Sequence, residues 1–230
     1  MKLHSYYRSS ASYRVRIALA LKNVEYQYVA IDLSRGEQTQ AAYQELSGNG
    51  LVPILEVNGV RIAQSLAIIE YLDDIQLPPP LLPNDSTERA IARAMAQSIA
   101  CDLHPLNNLR VLRYLDSTLQ HNEVEKQAWY RHWTRTGLEI LENQLNQAKR
   151  WEQGPFALGK SPSMVDCVLI PQIYNARRFQ ISLAGLDRIL KIDEVCRQHP
   201  CFEQAAPENC PDYPRKLITP IQPTFGASNC

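Results

Sequence analysis

A short stretch near the amino terminus places hydroxyl groups at the predicted start of a helix. Ser9, Ser10 and Ser12 follow a strand-like run over residues 2–7 and precede an almost entirely apolar run over residues 15–21. Serine is a favoured N-cap residue, and the first turn of a helix offers free N–H groups at the positive end of the helix dipole. Hydroxyls in this position could stabilise an anion such as a thiolate, although the residues alone favour a simple helix cap.

The overall composition excludes several classes of protein. The 230 residues include 24 Lys+Arg and 24 Asp+Glu, so the chain carries no net charge that would favour nucleic acid or an anionic membrane. The chain contains no apolar run long enough to span a bilayer and no apolar leader. The six cysteines form no C-x-x-C pair, which argues against a zinc site or a dithiol redox motif. We therefore expect a soluble cytoplasmic protein with free thiols and no metal.

The first part of the chain is predicted to alternate strands with helices. Two β-type runs flank the first helix, which favours a parallel pair of strands. Asn58-Gly59 joins two further β-type runs and is a strong hairpin signal, and Pro53 stands where the first of them begins. Ser65 is the expected N-cap of the next helix. The predicted order is βαβαββα, with strands near residues 3–6, 26–31, 51–57 and 60–62 and helices over 13–23, within 32–50 and from 66.

A proline-rich stretch over residues 76–85 separates this part from a helical second part. Pro105 lies inside the first long helical period and is expected to kink it. Ser163 and Asp166 form an S-x-x-D pattern that is typical of a capping box. The predicted helices cover residues 91–112, 124–149, a run from 163, and 183–196, whereas residues 207–230, with five prolines, are predicted to be extended or partly disordered.

Four motifs stand out along the chain. They are Arg8-Ser9-Ser10-x-Ser12-x-Arg14-Val15-Arg16-Ile17-Ala18-Leu19, Gln64-Ser65-Leu66-Ala67-Ile68-Ile69-Glu70-Tyr71-Leu72, His104-Pro105-Leu106-Asn107-Asn108-Leu109-Arg110, and Pro171-Gln172 with Ala176-Arg177-Arg178-Phe179. The predicted order of elements resembles a glutathione transferase, and the four motifs resemble the zeta class, which includes maleylacetoacetate and maleylpyruvate isomerases. The resemblance covers residues 1 to about 206. Two departures from the family pattern are Ala11, where eukaryotic members have Cys, and His104, where Gln is common.

The resemblance implies an α+β glutathione transferase fold with two domains. A thioredoxin-like domain over residues 1–80 would bind glutathione, and an all-helical domain over residues 86–206 would complete the substrate site. The tail, residues 207–230, lies outside the resemblance. The family also implies assembly as a homodimer.

Glutathione is the cofactor that the resemblance implies. Ser9 would donate a hydrogen bond to the glutathione thiolate and lower the thiol pKa, with Ser10 assisting. Gln64 and Ser65 would hold the γ-glutamyl carboxylate at a helix N-terminus. The other implied glutathione-binding residues are Val52 through its backbone, Pro53 as a cis-proline, Gln38 at the glycyl end, and His104 and Asn108 from the second domain.

Three arginines are the candidate ligands for a small dicarboxylic substrate. Arg8, Arg110 and Arg177 each offer the fork of N–H groups that binds a carboxylate, whereas Arg178 is expected at the surface. The implied reaction is the glutathione-dependent isomerisation of maleylacetoacetate to fumarylacetoacetate or of maleylpyruvate to fumarylpyruvate. Two alternatives stay open. One is a transferase or dehalogenase that acts on small α-halo acids, and the other is a non-catalytic binding protein that kept the fold.

Overall fold

A four-stranded mixed sheet organises the first part of the computed structural model, which describes residues 1–75, 77–148 and 154–214. The strand order is β2-β1-β3-β4, with β1 (Lys2–Ser5) parallel to β2 (Gln27–Ala30) and antiparallel to β3 (Ile54–Val57). The predicted Asn58-Gly59 hairpin joins β3 to β4 (Val60–Ala63). Both turn residues have positive φ, which a two-residue hairpin turn of this kind requires.

Helices cover the sheet and form the second part of the chain. Their order in the first part confirms the predicted βαβαββα arrangement, and in the described residues of the second part the named elements are all helices. The helices are α1 (Ser10–Leu21), α2 (Ala41–Ser47), α3 (Ser65–Asp74), α4 (Ser86–Gln97), α5 (Leu109–Ser117), α6 (Glu123–Gln147), α7 (Met164–Arg178), α8 (Asp187–Gln198) and α9 (Pro200–Gln204), with 3-10 turns at Glu37–Thr39 and Pro207–Asn209.

One hydrophobic core joins the sheet to the helical part. Leu55 of β3 and Ile17 of α1 belong to the same buried cluster as Val168 and Ile173 of α7, and α1 packs directly against α7. The apolar run that follows the serines is therefore buried on nearly all sides, which fixes the start of α1 between the two parts. The division into domains at residues 80 and 86 stays a prediction.

The linker between the two parts is held by a buried ion pair. Lys22 Nζ donates to Asp73 Oδ1 at 2.7 Å and to the Pro79 carbonyl at 2.9 Å, and Lys22 is only 5% exposed. The Asp73 carboxylate also accepts from the N–H groups of Leu81 and Leu82. The proline-rich stretch thus follows a defined path from α3 to α4.

The long helix predicted over residues 91–112 is interrupted. After α4 the chain forms a π-helical turn, Ser98–Leu103, in which the His104 N–H bonds to the Ile99 carbonyl at 2.8 Å. Pro105 has no N–H to continue the helix, so the helix ends instead of bending, and α5 starts only at Leu109. His104 and Asn108, four residues apart, would share a face of the predicted continuous helix, but they do not lie on one helix, because Asn108 is the N-cap of α5.

The predicted capping box at the start of α7 is confirmed. Ser163 Oγ and the Ser163 N–H both donate to Asp166 Oδ2, at 2.6 and 2.8 Å, and the Ala157 N–H donates to Asp166 Oδ1 at 2.8 Å. Asp166 is fully buried, and burial raises the pKa of its carboxyl. The box fixes the direction in which α7 enters the core beside α1.

The start of the tail folds back onto the first part. Residues 207–209 form a 3-10 turn, and Asp212 accepts hydrogen bonds from Tyr7 and Tyr28. The prediction of an extended or disordered tail is therefore wrong for residues 207–214. Residues 215–230 lie outside the described residues.

Candidate active site

A cavity of about 740 Å³ lies between the start of α1 and the helical part. The loop after β2, the segment before β3, the length of α5 and the second half of α7 also line it. The predicted site residues that line it are Arg8, Ser9, Ser10, Gln38, Val52, His104, Asn108 and Arg110, whereas Pro53, Gln64, Ser65 and Arg177 are not among the described residues of its lining.

Ser9 is the N-cap of α1. Its Oγ accepts a hydrogen bond from the Ser12 N–H at 3.2 Å, and its backbone has the extended conformation of an N-cap. A serine hydroxyl has one donor and two acceptor positions, so a hydroxyl that accepts in the cap still has its proton to donate. Capping the helix and donating to a thiolate in the cavity are therefore compatible roles for one side chain.

Ser10 is paired with a histidine from the second part. Its Oγ lies 3.2 Å from His104 Nδ1. Burial, together with the guanidinium groups of Arg14 and Arg110, lowers the pKa of His104 to about 3. His104 is therefore a neutral imidazole at physiological pH, and it links α1 to the interrupted helix through an uncharged contact.

His104→Gln is expected to reduce the loss of stability in acid. Because the pKa of His104 is about 3 in the fold, below its usual 6.5, the unfolded chain binds more protons between these values, and the free energy of unfolding decreases as the pH falls below about 6.5. The slope from one such group is at most about 1.4 kcal/mol per pH unit. Denaturant unfolding of both proteins over this range measures the difference, and the exposed His132→Gln is the control. Equal slopes in His104→Gln and wild type would contradict a neutral His104 imidazole in the folded protein.

The turn that carries His104 is held by α6. Asn107 Nδ2 donates to Thr134 Oγ1 at 2.9 Å, and Trp129 Nε1 donates to the Leu106 carbonyl at 2.9 Å. The Asn108 side chain accepts from the Arg110 N–H at 3.1 Å. These side-chain hydrogen bonds therefore fix the part of the cavity wall that lies between the end of the π-helical turn and the start of α5.

Arg14 carries a buried positive charge beside the start of α3. It is 2% exposed, and its Nη1 donates to Ser65 Oγ at 3.2 Å. Its Nε and Nη2 have no hydrogen-bond partner within the described part of the chain. Burial lowers the pKa of Arg14 to about 10, which leaves the guanidinium charged at neutral pH. A charged group with unused donors next to free helix N–H groups suits an anionic ligand.

The segment after β4 differs in one detail from the expectation. Gln64, with φ of 70°, occupies the N-cap position of α3, and Ser65 is the first helical residue. The prediction that Ser65 is the N-cap is therefore wrong, because its hydroxyl accepts from Arg14 and not from the helix backbone.

The Val52–Pro53 peptide bond is cis, as the resemblance implied, and Val52 lines the cavity.

Gln38 supplies a second polar group without a partner. It is 8% exposed, it lines the cavity, and its Oε1 has no hydrogen-bond partner among the described residues. Unsatisfied buried polar groups are uncommon and mark places where a ligand would complete the hydrogen bonding. Gln38 Oε1 suits an N–H group of a ligand, and the Arg14 donors suit a carboxylate, and a peptide such as glutathione has both kinds of group.

The arginines are arranged differently from the prediction. Arg177 Nη1 and Nη2 both donate to the buried Asp193 carboxylate of α8, so the expectation that Arg177 faces the substrate is wrong. Arg178, expected at the surface, lines the cavity instead. Burial and the neighbouring Arg8 guanidinium lower the pKa of Arg178, which indicates that these two positive charges are close together.

A signal for Arg178 was present in the sequence. Gln172, Asn175 and Arg178 are polar residues three apart in the largely apolar α7, and all three line the cavity. Residues at this spacing share one side of a helix, whereas Arg177 is rotated away from it. Arg8 lies near the rings of Tyr6 and Tyr7, 5.8 and 5.9 Å from their centroids, and Arg110 lies on the first turn of α5.

The fold and the cavity define the class of protein. The family described as "Glutathione S-transferase, N-terminal domain" matches residues 8–75, which include the start of α1, the Val52–Pro53 bond and the start of α3. The match therefore covers most of the residues to which the resemblance assigned glutathione.

Relatives with similar sequences give the family. A probable maleylacetoacetate isomerase from Vibrio cholerae is 44% identical over 91% of this chain and 97% of the relative. A maleylpyruvate isomerase from Ralstonia sp. is 39% identical over 92% of this chain and 99% of the relative. The chain belongs to the maleylacetoacetate and maleylpyruvate isomerase family of zeta-class glutathione transferases.

Solved structures agree with this assignment. The holo structure of a maleylpyruvate isomerase, described as a bacterial zeta-class glutathione S-transferase, has a TM-score of 0.89 and 38% identity over 93% of this chain and 100% of its own. A maleylacetoacetate isomerase from Methylobacterium extorquens, crystallised with malonate and glutathione, has a TM-score of 0.89 and 33% identity over 94% of this chain and 100% of its own. Among the described residues of this chain, no helix has the length and hydropathy of a membrane span, and no group of three or more His, Cys, Asp and Glu could hold a metal ion.

Proposed function

We propose that the protein is a glutathione-dependent cis–trans isomerase of maleyl acids, converting maleylacetoacetate to fumarylacetoacetate or maleylpyruvate to fumarylpyruvate. The observation that carries the proposal is one cavity lined both by the hydroxyls of Ser9 and Ser10 at the start of α1 and by the guanidinium groups of Arg8, Arg110 and Arg178. The first group suits a thiolate, and the second suits the two carboxylates of the substrate.

Glutathione, when bound, supplies the sulfur nucleophile, whose reversible addition turns the cis double bond into a single bond that can rotate. In this proposal Ser9 Oγ donates a hydrogen bond to the glutathione sulfur. This bond stabilises the thiolate, which is the form that reacts. Ser10, whose Oγ contacts His104, assists from the first turn of α1.

The peptide part of glutathione is assigned to the polar groups around the start of α3. Ser65 and the α3 N-terminus would bind the γ-glutamyl carboxylate, with Gln64 beside it and the charge of buried Arg14 behind it. The Val52 backbone, presented by cis Pro53, would pair with the cysteinyl backbone, and Gln38 would bind the glycyl end. His104 and Asn108 would complete the site from the helical part.

The substrate carboxylates are assigned to Arg8, Arg110 and Arg178. Arg178 takes the role first given to Arg177, because Arg177 already forms two bonds with Asp193. The bound malonate of the Methylobacterium extorquens relative, itself a dicarboxylate, supports a small dicarboxylic substrate.

Glutathione is expected to be regenerated in every turnover. An isomerase returns the thiol after the double bond has rotated, so one equivalent should support many turnovers of a maleyl acid. The measurement is the ratio of fumaryl product formed to free thiol lost. A ratio near one with a stable thioether product would instead indicate conjugation, the alternative activity on small α-halo acids, and α-halo acids tested in parallel provide the comparison.

Assembly and location stay predictions of the family resemblance. We propose that two copies of the chain form a homodimer and that the enzyme is cytoplasmic.

A further inference from the structure

The segment after α9, residues 205–213, reaches back to the turn between β1 and α1. Asp212 Oδ2 accepts from the Tyr7 N–H at 3.0 Å, and Asp212 Oδ1 accepts from the Tyr28 hydroxyl at 2.7 Å. Tyr7 directly precedes Arg8 and Ser9 in the chain. One carboxylate therefore bonds to the backbone of the catalytic turn and to β2 at the same time.

The same turn is bound to this segment a second time, through Arg16. Arg16 is 2% exposed, and its Nε donates to the Ala205 carbonyl at 3.0 Å, while its Nη2 donates to the Tyr7 carbonyl at 3.0 Å. Both the N–H and the carbonyl of Tyr7 are thus held, one by Asp212 and the other by a guanidinium that is itself fixed to residue 205.

Ring contacts extend this arrangement to Arg8. The Tyr7 ring meets the Tyr213 ring edge to face, with centroids 5.4 Å apart, and the Arg8 guanidinium lies 5.9 Å from the centroid of the Tyr7 ring. The residues that precede Ser9 therefore take their position from residues two hundred places later in the sequence.

We propose that residues 205–213 position Ser9 and Arg8 for catalysis, with Asp212 as the main positioning residue. This inference rests on the proposed function, because it concerns the same site. Asp212 acts through the backbone of the turn and has no assigned contact with glutathione or substrate. A hydrogen bond from Ser9 to a thiolate depends steeply on distance and angle, so a displaced turn would weaken it.

Because Asp212 is charged, the direction in which its substitution changes the thiol pKa of bound glutathione is informative. A negative charge close to a thiolate disfavours it, so neutralising Asp212 would by charge alone lower the thiol pKa of bound glutathione. Loss of positioning would have the opposite effect, because Ser9 would donate less effectively. The direction of the change therefore separates the two roles.

Asp212→Asn is the variant to measure, because an amide of the same shape can accept only through its single oxygen. We expect the thiol pKa of bound glutathione, followed by the ultraviolet absorbance of the thiolate, to rise. We also expect kcat at neutral pH to fall roughly tenfold and to recover partly at higher pH. Tyr28→Phe, which removes one of the two donors, should give a smaller change in the same direction.

Glu208→Gln is the matched control. Glu208 lies in the same segment, but it accepts from the Tyr174 hydroxyl of α7 and not from the turn. An unchanged thiol pKa in this variant, with a raised one in Asp212→Asn, would support the inference. An unchanged or lowered thiol pKa in Asp212→Asn, or an equal rise in Glu208→Gln, would overturn it. The thiol pKa is measured without substrate, so failure of the isomerase proposal would appear separately, in wild-type turnover.

Discussion

Ser9→Ala is expected to lower kcat by roughly ten- to over a hundred-fold. The loss of a hydrogen bond to a charged group typically costs about 1.5–3 kcal/mol, and the thiolate would lose the donor assigned to it. Glutathione affinity should change less, because the groups assigned to the peptide part are untouched. Steady-state kinetics with a maleyl acid, together with the thiol pKa of bound glutathione, measures both effects.

Ser9→Gly is the control that separates catalysis from helix capping. Ser9 caps α1, so alanine at this position should also destabilise the fold by about 1 kcal/mol, whereas glycine at an N-cap costs only a few tenths. Both variants lack the hydroxyl, so both should lose the same share of kcat. Wild-type kcat in either variant would remove Ser9 from the mechanism and direct attention to Ser10 and Ser12.

Arg178→Ala is expected to raise KM for the maleyl acid by about ten- to a hundred-fold, with little change in glutathione binding. The reason is the loss of a guanidinium that lines the cavity beside Arg8 and is assigned to a substrate carboxylate. The measurement is KM at saturating glutathione.

Arg177→Ala is a closely matched control, because it removes the same side chain from the adjacent residue. Arg177 bonds to Asp193, which also accepts from Arg197, so this variant should lose stability and keep its KM. A raised KM in Arg177→Ala with a wild-type KM in Arg178→Ala would reverse the assignment of the two arginines.

The sequence predicted best the features whose causes are local. Asn58-Gly59 formed the expected hairpin because its turn needs residues that tolerate positive φ, and both residues are next to each other in the chain. Ser163 and Asp166 formed the expected capping box for the same reason, since both partners lie within four residues. The position of cis Pro53 came from the family resemblance.

The predictions that failed depended on distant partners. Arg177 and Arg178 are neighbours, and what separates them is Asp193, which only the packing of α8 against α7 brings within reach. Ser65 is not the N-cap of α3, because its hydroxyl accepts from Arg14, which lies 51 residues away in the chain. The start of the tail is not extended, because Asp212 bonds to Tyr7, 205 residues away, and the prolines of the tail do not indicate that contact.

Two guanidinium nitrogens of Arg14, Nε and Nη2, connect cofactor supply to the stability of the fold, because they have no hydrogen-bond partner among the described residues. Burying these donors without a partner lowers the free energy of unfolding, because their lost hydration is not replaced. An anion bound at the start of α3 would return those interactions, and any ligand that binds only the folded chain stabilises it in proportion to the logarithm of its concentration. The ligand-free protein is thus the form that unfolds and is proteolysed most readily. Depletion of glutathione would therefore shorten the lifetime of the enzyme as well as stop its turnover.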